Sequence, residues 1–292
     1  MPTVYSKLWQ PIAAAYGLQA LAGCVFVPLQ TEKYFDLIGA TGHILSAGIS
    51  LLGTSIYQHI AVGLPLVEYR PPPLQSFAPR QLAITVAFSL WAARLAAFLF
   101  GRIRKTGKDS RFEEIRVNPK RFFRLWLIQG TWIMLSGFPV WLTNALSPNA
   151  TPFWTTSDTA ILSFALLSLG VEILADAQKS EWRRQKEQGE HNEKFITRGL
   201  WSISRHPNYV AEVIFHASIF ALSCRSLVTP GVPQSAVLLS SISPVFSYGI
   251  LRYLSGVPFL EKAGNKKWGD DPAWKRYTST TPVFWPWARI YA

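Results

Sequence analysis

Long runs of uncharged residues are the feature that most constrains how this chain folds. Residues 12–29, 37–67 and 125–146 contain no lysine, arginine, aspartate or glutamate, and residues 81–100 carry only Arg94. An α-helix needs about 20 mostly apolar residues to cross the hydrocarbon core of a bilayer. Each of these runs therefore predicts a membrane-spanning helix.

Three further runs have the length of a span but contain polar groups. Residues 159–178 include Glu172 and Asp176, residues 209–224 include Glu212 and His216, and residues 232–251 contain Pro244. The whole chain is 49% hydrophobic and only 16% charged, which is too few charges for the surface of a soluble protein. We therefore expect an all-α integral membrane protein with about seven transmembrane helices, surrounded by bilayer lipid.

Lysine and arginine are concentrated in three segments between or after the predicted spans. Residues 102–124, 179–205 and 252–292 hold 23 of the 29 basic residues, whereas residues 147–158 and 225–231 hold one. Loops rich in lysine and arginine stay on the cytoplasmic side, so we expect a cytoplasmic C-terminus and an N-terminus on the opposite side. A basic membrane face also accounts for the net charge of +12, and no nucleic-acid partner is expected.

Ionisable residues inside the predicted spans are candidate ligand-binding groups, because a charge in lipid is costly unless it meets a partner or a cavity. Glu172 and Asp176 are four residues apart and share one helix face, where they could accept hydrogen bonds from ribose hydroxyls or an amide. A plainer alternative is pairing with arginines of the adjoining loop. Arg94 is either a counter-ion for one of these acids or a phosphate ligand. The histidines have no metal-ligand spacing, and no metal site is expected.

Residues 195–212 differ in kind from the rest of the chain and read F-I-T-R-G-L-W-S-I-S-R-H-P-N-Y-V-A-E. Pro207 suits the first turn of a helix, whose free backbone N–H groups favour an anion. Arg198 and Arg205 can neutralise phosphates, while Asn208 and Glu212 share a helix face that can hold a carboxamide or a sugar. This pattern indicates a dinucleotide-like site. A positive-inside anchor followed by a helix start would have the same spacing.

Three motifs together resemble a family of membrane proteins related to the C-terminal domain of steroid 5-alpha-reductases. They are R-G-L-W-x-x-S-R-H-P-N-Y-x-x-E, the preceding V-E-I-L-A-D-A-Q-K, and L-W-A-A-R-L-A-A-F-L-F-G-R with D-S-R-F after it. The resemblance runs from about residue 82 to residue 287. We therefore divide the chain into N-terminal spans at 1–80, which resemble no family, and a reductase-like membrane domain at 81–292.

The resemblance implies a seven-helix fold with a cofactor cavity open to the cytoplasm, shared by steroid and sterol reductases and by isoprenylcysteine carboxyl methyltransferases. In the reductases, NADPH occupies the cavity and gives hydride to a carbon–carbon double bond of a lipid. The implied cofactor-binding positions are Glu172 and Asp176 for adenosine and ribose, Arg198 and Arg205 for phosphates, Asn208 and Glu212 for the nicotinamide, and His206, Tyr209 and Tyr277 around the pocket.

The catalytic acid is the group that the resemblance does not supply. Hydride delivery to an enone needs a proton donor near the carbonyl oxygen, where negative charge develops. Steroid reductases use a tyrosine one turn before the equivalent of Arg94, and here that position is Trp91, which cannot act as an acid. The candidates that remain are Tyr57, Tyr69 and Tyr209. A further departure is Ala211, where relatives commonly have glycine.

We therefore expect an NADPH-dependent reductase of a lipidic unsaturated substrate of the steroid, sterol or enoyl type. A membrane methyltransferase that uses S-adenosylmethionine shares the R-H-P-x-Y element and is the alternative enzyme class. A non-catalytic lipid-binding or scaffold protein is the alternative outside enzymes. In a eukaryote, the family analogy would favour the endoplasmic reticulum.

Overall fold

The computed structural model describes residues 4–107 and 112–288 of the chain. Regular structure in these residues is helical and includes no strand. The α-helices in this part of the chain are α1 (Trp9–Phe26), α2 (Phe35–Ala61), α3 (Pro79–Thr106), α4 (Pro119–Ala145), α5 (Thr156–Glu187), α6 (Pro207–Leu227), α7 (Gln234–Gly249), α8 (Val257–Trp268) and α9 (Pro272–Thr280). Residues 109–111 of the D-S-R-F motif lie outside the described residues.

Six helical segments in the described ranges are long and apolar enough to cross a bilayer. They are Phe35–Ala61, Pro79–Gly101, Pro119–Ala145, Thr156–Glu187, Pro207–Leu227 and Gln234–Trp268. The last segment joins α7 to α8 through one turn of π-helix, Ile250–Leu254. These helices fit a multi-pass integral membrane protein, as the sequence predicted.

The predicted count of seven spans is not confirmed. The run at residues 12–29 does form a helix, α1, but this helix is not among the six segments that qualify as spans. It includes Gln10 and Gln19, and Gln19 is completely buried. Amide side chains lower the hydropathy of a helix without adding charge, so the seventh span stays a prediction.

The chain divides into two compact units, and the first comprises Met1–Leu162 and Ile219–Ser243. Within it α1, α2 and α4 pack against one another, and α2 also packs against α3. Phe122 and Trp126 are fully buried at the centre of one aromatic cluster. Elsewhere in the unit, Nε2 of His43 lies 2.9 Å from Oγ of Ser136, and its ring packs edge-on against Trp132.

A buried ion pair lies at the start of α3 in the first unit. The guanidinium of Arg80 donates to both carboxylate oxygens of Asp158, at 2.9 and 2.7 Å, and neither side chain is more than 2% exposed. It also donates to the carbonyls of Pro152 and Phe153, each at 2.7 Å. The pair thus fixes the loop before α5 to the first turn of α3.

The second unit comprises Ser163–Ser218 and Pro244–Ala292. It contains most of α5, the connector that follows α5, the first half of α6, and the helices α8 and α9. Proline begins α6 and α9, as suits a position whose backbone N–H would have no partner within the helix. The side chain of Asp271 caps α9 by accepting a hydrogen bond of 2.8 Å from the N–H of Ala273.

Candidate functional site: a cationic aromatic cavity

The segment that enters α6 is held by the C-terminal tail of the chain. The backbone N–H of Arg205 donates to the carbonyl of Pro282 at 2.9 Å, and Oγ of Ser204 donates to the carbonyl of Phe284 at 2.6 Å. Ser204 is completely buried. These bonds fix the position of the R-H-P motif before the helix begins.

A cavity of about 400 Å³ lies in the second unit beside this motif. This volume is within the usual range for small-molecule sites. The cationic residues that line it are Lys179, Arg183, Lys186, Lys194, Arg205 and Lys267, and the carboxylate among the described lining residues is Glu261. The cavity therefore favours an anionic ligand.

Aromatic rings form one wall of the cavity. The ring of Phe195 lies between those of Trp268, Trp274 and Tyr277, with centroid distances of 5.4, 4.9 and 5.6 Å. Trp274 packs directly on Gly264, where an added Cβ would lie 2.6 Å from the ring. Flat rings beside cations suit a ligand that combines an aromatic ring with phosphate or carboxylate groups.

Glu261 on α8 joins the two motif residues that line the cavity. One carboxylate oxygen accepts from Nη1 of Arg205 at 2.5 Å, and the other lies 2.8 Å from Nε2 of His206. Among the described residues, neither Nε of Arg205 nor Nδ1 of His206 has a hydrogen-bond partner. Buried polar atoms without a partner are uncommon, so the cavity retains capacity for a polar ligand.

Burial determines the protonation of two cavity groups outside the spans. Desolvation lowers the pKa of His206 below its ordinary value of 6.5, an effect that the nearby carboxylate of Glu261 only partly opposes. Burial likewise raises the pKa of Tyr277, whose hydroxyl donates to the carbonyl of Trp201 at 2.7 Å. At neutral pH both side chains are uncharged. Neither of them therefore neutralises the positive charge of the lysines and arginines that line the cavity.

Two of the predicted acid and amide positions meet between α5 and α6. Nδ2 of Asn208 donates to Oδ1 of Asp176 at 3.1 Å. Asp176 is 6% exposed and Glu172, one turn earlier, is 2% exposed. Oδ1 of Asn208 is buried and has no hydrogen-bond partner among the described residues. The two helices thus present carboxylates and an amide together, although these residues do not line the cavity.

Tyr209 and Glu212 lie on the first turns of α6. The ring of Tyr209 stacks on that of His206, with centroids 5.6 Å apart and planes 5° from parallel. Glu212 is half-buried and follows Asn208 by one helical turn. Tyr209 is therefore in contact with a cavity-lining residue, whereas Glu212 lies further along the helix.

Arg198 is placed differently from Arg205. It is exposed, and its Nη2 donates to Oε1 of Gln185 at 2.8 Å. It lines a smaller cleft of about 240 Å³ and is not among the residues that line the larger cavity. The two arginines predicted to bind phosphates therefore belong to different depressions.

The remaining predicted positions, Arg94, Tyr57 and Tyr69, belong to the first unit. The guanidinium of Arg94 lies 5.3 Å from the ring centroid of Phe98. Tyr57 is 59% exposed. The hydroxyl of Tyr69 is 2.6 Å from Oγ of Ser55. Of the three candidate acids, Tyr209 is the one that shares a unit with the cavity.

Glu261 is the main site residue that sequence reasoning missed. It lies in the tail segment S-G-V-P-F-L-E-K, where a single acid among several lysines gives no signal of its own. Trp268 and Trp274 were missed as well, although tryptophan in a C-terminal tail of high charge is an available signal for a binding wall.

The comparisons with known proteins identify a family. The family model described as "Protein of unknown function (DUF1295)" matches residues 59–281, well over half of the chain. No curated protein and no solved structure matches the chain significantly. The matched range includes α5, the connector after it, α8 and α9, which together line the cavity, and the chain therefore belongs to the DUF1295 family.

Proposed function

We propose that this protein is an NADPH-dependent reductase of a carbon–carbon double bond in a lipidic substrate of the steroid, sterol or enoyl type. The observation that carries the proposal is the cationic aromatic cavity beside the R-H-P-N-Y motif. NADPH combines several phosphate charges with two ring systems. The lining cations, the aromatic wall and the buried unpartnered atoms of Arg205 and His206 fit such a ligand.

The chain offers groups for each part of the cofactor. Lys179 and Arg205 would neutralise phosphates through charge-assisted hydrogen bonds. Asp176 and Asn208, which bond to each other outside the cavity lining, would hydrogen-bond to the ribose or carboxamide of a cofactor that extends beyond the cavity. Bound NADPH supplies the hydride. The proton would come from a side chain, and Tyr209 is the candidate that lies beside the cavity.

The membrane helices support a lipidic substrate, because a compound dissolved in the bilayer can reach a site built at the ends of spans. The orientation predicted from the basic segments would place this site on the cytoplasmic side, where NADPH is available. The three basic segments are separated by pairs of spans, so they remain on one side whether or not α1 crosses the bilayer.

The charge of the cavity bears on the methyltransferase alternative. S-adenosylmethionine carries a sulfonium and an ammonium against one carboxylate, so its net charge is positive. Six cations and one carboxylate around the cavity would repel such a ligand more than they attract it. The non-catalytic alternative predicts that neither cofactor binds.

The first test is ligand-dependent thermal stability of the purified protein. A ligand that binds only the folded state stabilises it, by about 2.7 kcal/mol at a hundred times its Kd. We expect NADPH to raise the Tm and S-adenosylmethionine to leave it unchanged. A rise with S-adenosylmethionine alone would favour the methyltransferase, and a rise with neither would favour the non-catalytic protein.

Two arginine variants locate the phosphates in the same assay. Arg205→Gln should weaken NADPH binding by about 1.5–3 kcal/mol, the value of a hydrogen bond to a charged group. Arg198→Gln is the matched comparison, since Arg198 lines the other cleft. Equal losses in both variants would mean that the phosphates extend over both depressions, and no loss in either would assign both arginines to membrane orientation alone.

The orientation has its own prediction. A glycosylation acceptor inserted at residues 147–157 should be modified in a eukaryotic membrane, because this loop is poor in lysine and arginine and is expected to lie opposite the cytoplasm. An acceptor inserted directly after Gly107 should stay unmodified. The reverse pattern would overturn the predicted orientation and place the cavity on the side that lacks NADPH.

A further inference from the structure

His206 is a polar side chain of the cavity that is buried and incompletely bonded. It is 4% exposed, it lines the cavity, and its Nε2 lies 2.8 Å from a carboxylate oxygen of Glu261. Its Nδ1 has no hydrogen-bond partner among the described residues. An ionised carboxylate only accepts hydrogen bonds, so the proton of the neutral ring is assigned to Nε2. Nδ1 is then a bare acceptor.

The charges around the ring act in opposite directions. Glu261 on α8 favours the imidazolium form of His206. Lys179 on α5 and Arg205, which directly precedes His206 in the chain, disfavour this form. Burial also disfavours the charged ring, and the balance keeps the pKa of His206 below 6.5. The Nδ1 atom, which has no hydrogen-bond partner among the described residues, is therefore unprotonated at neutral pH.

Two phenols complete the surroundings of His206. Tyr209 on α6 stacks on the ring, and Tyr277 on α9 lines the same cavity. Burial raises the pKa of Tyr277, so this phenol stays neutral across the range in which a histidine titrates. The charge state of His206 therefore depends on Glu261, on the cations that line the cavity and on the ligand that the cavity binds.

An anion in the cavity would favour the charged form of His206 over the neutral form. It would offset the repulsion from the lysines and arginines of the lining, and an opposite charge within about 4–6 Å raises the pKa of a histidine by about one to three pH units. A charged ring could also donate from Nδ1 to an anionic oxygen, which would give this buried atom the partner that the protein does not supply.

We propose that the cavity takes up one proton together with the phosphate-bearing anion that it binds, and that Nδ1 of His206 receives this proton and donates it in a hydrogen bond to the anion. The inference rests on the proposed function in that NADPH is the expected anion. The coupling itself requires only phosphate charge in the cavity. The N–H bond at Nδ1 is the one covalent bond that forms, and its proton comes from solvent.

Calorimetric titration with NADPH at pH 7, in buffers of different ionisation enthalpy, measures the coupling. The protein should take up as much as about one proton per NADPH. Because protons bind with the anion, the Kd should rise by up to about tenfold per pH unit as the pH increases from the pKa of the free ring to that of the bound ring. Below the pKa of the free ring, the dependence on His206 should disappear.

His206→Gln is the decisive variant, because glutamine keeps an N–H for Glu261 and cannot titrate. Its proton uptake should be smaller than that of the wild type by the amount that His206 contributes. Protons that the ligand's own phosphates exchange on binding are the same for both proteins, so they cancel in the comparison. His191→Gln is the matched control, since this histidine belongs to the same unit and does not line the cavity. We expect it to behave as wild type.

The outcomes separate this inference from the proposed function. Equal uptake by the wild type and His206→Gln would overturn the inference while NADPH binding stands. Inorganic pyrophosphate is the second probe: if it binds with His206-dependent uptake and NADPH does not bind, the inference holds and the reductase proposal falls. Binding of neither anion overturns both. If His206→Gln does not fold, histidine ¹⁵N spectra of the wild type decide, and a ring that stays neutral on NADPH addition contradicts the inference.

Discussion

Arg80→Met is expected to lower the free energy of unfolding by about 3–5 kcal/mol, the cost of removing one partner of a buried ion pair. The variant leaves the carboxylate of Asp158 completely buried without the guanidinium that makes two bonds to it. The carbonyls of Pro152 and Phe153 lose their donor as well. Unfolding by sodium dodecyl sulfate in mixed micelles, followed by circular dichroism, measures the loss.

Arg225→Met is the matched control for this prediction. Arg225 approaches the same carboxylate at 3.4 Å, but its side chain is 43% exposed, so its removal should cost less than about 1 kcal/mol. Arg80→Met combined with Asp158→Leu should recover much of the loss, because no charge is then left buried. A cost for Arg80→Met as small as that for Arg225→Met would show that water or lipid headgroups reach the pair.

Spans could be predicted from the sequence because lipid imposes a simple requirement of length and hydropathy. The uncharged run at residues 125–146 corresponds to α4 (Pro119–Ala145), and the run at 81–100 lies inside α3 (Pro79–Thr106). The same reasoning predicts a span at α1 that is not confirmed, because glutamine lowers the hydropathy of this helix without adding charge. The predicted start of the fourth span, residue 125, lies inside α4, since basic residues such as Lys120 and Arg121 extend this helix before its apolar part.

The site could be predicted only where local spacing determines it. The helix start at Pro207 follows from proline chemistry, and the shared face of Asn208 and Glu212 follows from helical periodicity. The pairing of Asn208 with Asp176 depends on which faces of α5 and α6 meet, and spacing within one helix does not contain that information.

Two other features of the site depend on tertiary structure. Glu261 bonds to residues about 55 positions earlier in the chain, and nothing local to either segment indicates the contact. Arg198 and Arg205 were expected to act together, but Gly199 adopts a φ of +63° and begins a turn between them. This change of direction helps to explain why the two arginines line different depressions.

The substitution Glu212→Gln is expected to reduce hydride transfer from NADPH by about 10- to 1,000-fold, which corresponds to ~1.4–4 kcal/mol of lost transition-state stabilisation. Glu212 is half-buried on α6, one turn after Asn208, where an ionised carboxylate is costly unless a ligand or a partner uses it. Glutamine keeps the size and most of the hydrogen-bonding capacity, so folding and insertion should be preserved. The proposed role is to hold the nicotinamide in position for transfer.

The measurement combines NADPH oxidation, with a panel of steroid, sterol and enoyl lipids, and Tm on the same preparation. Glu187→Gln is the control, because Glu187 is an exposed carboxylate at the end of α5 and should affect neither quantity. If Glu212 is only a structural counter-ion, the change should lower the Tm and spare turnover and NADPH affinity. Full activity with reduced stability would therefore remove Glu212 from the proposed site, and the cofactor would have to be positioned by the other residues assigned to it, Arg205 and His206 among them.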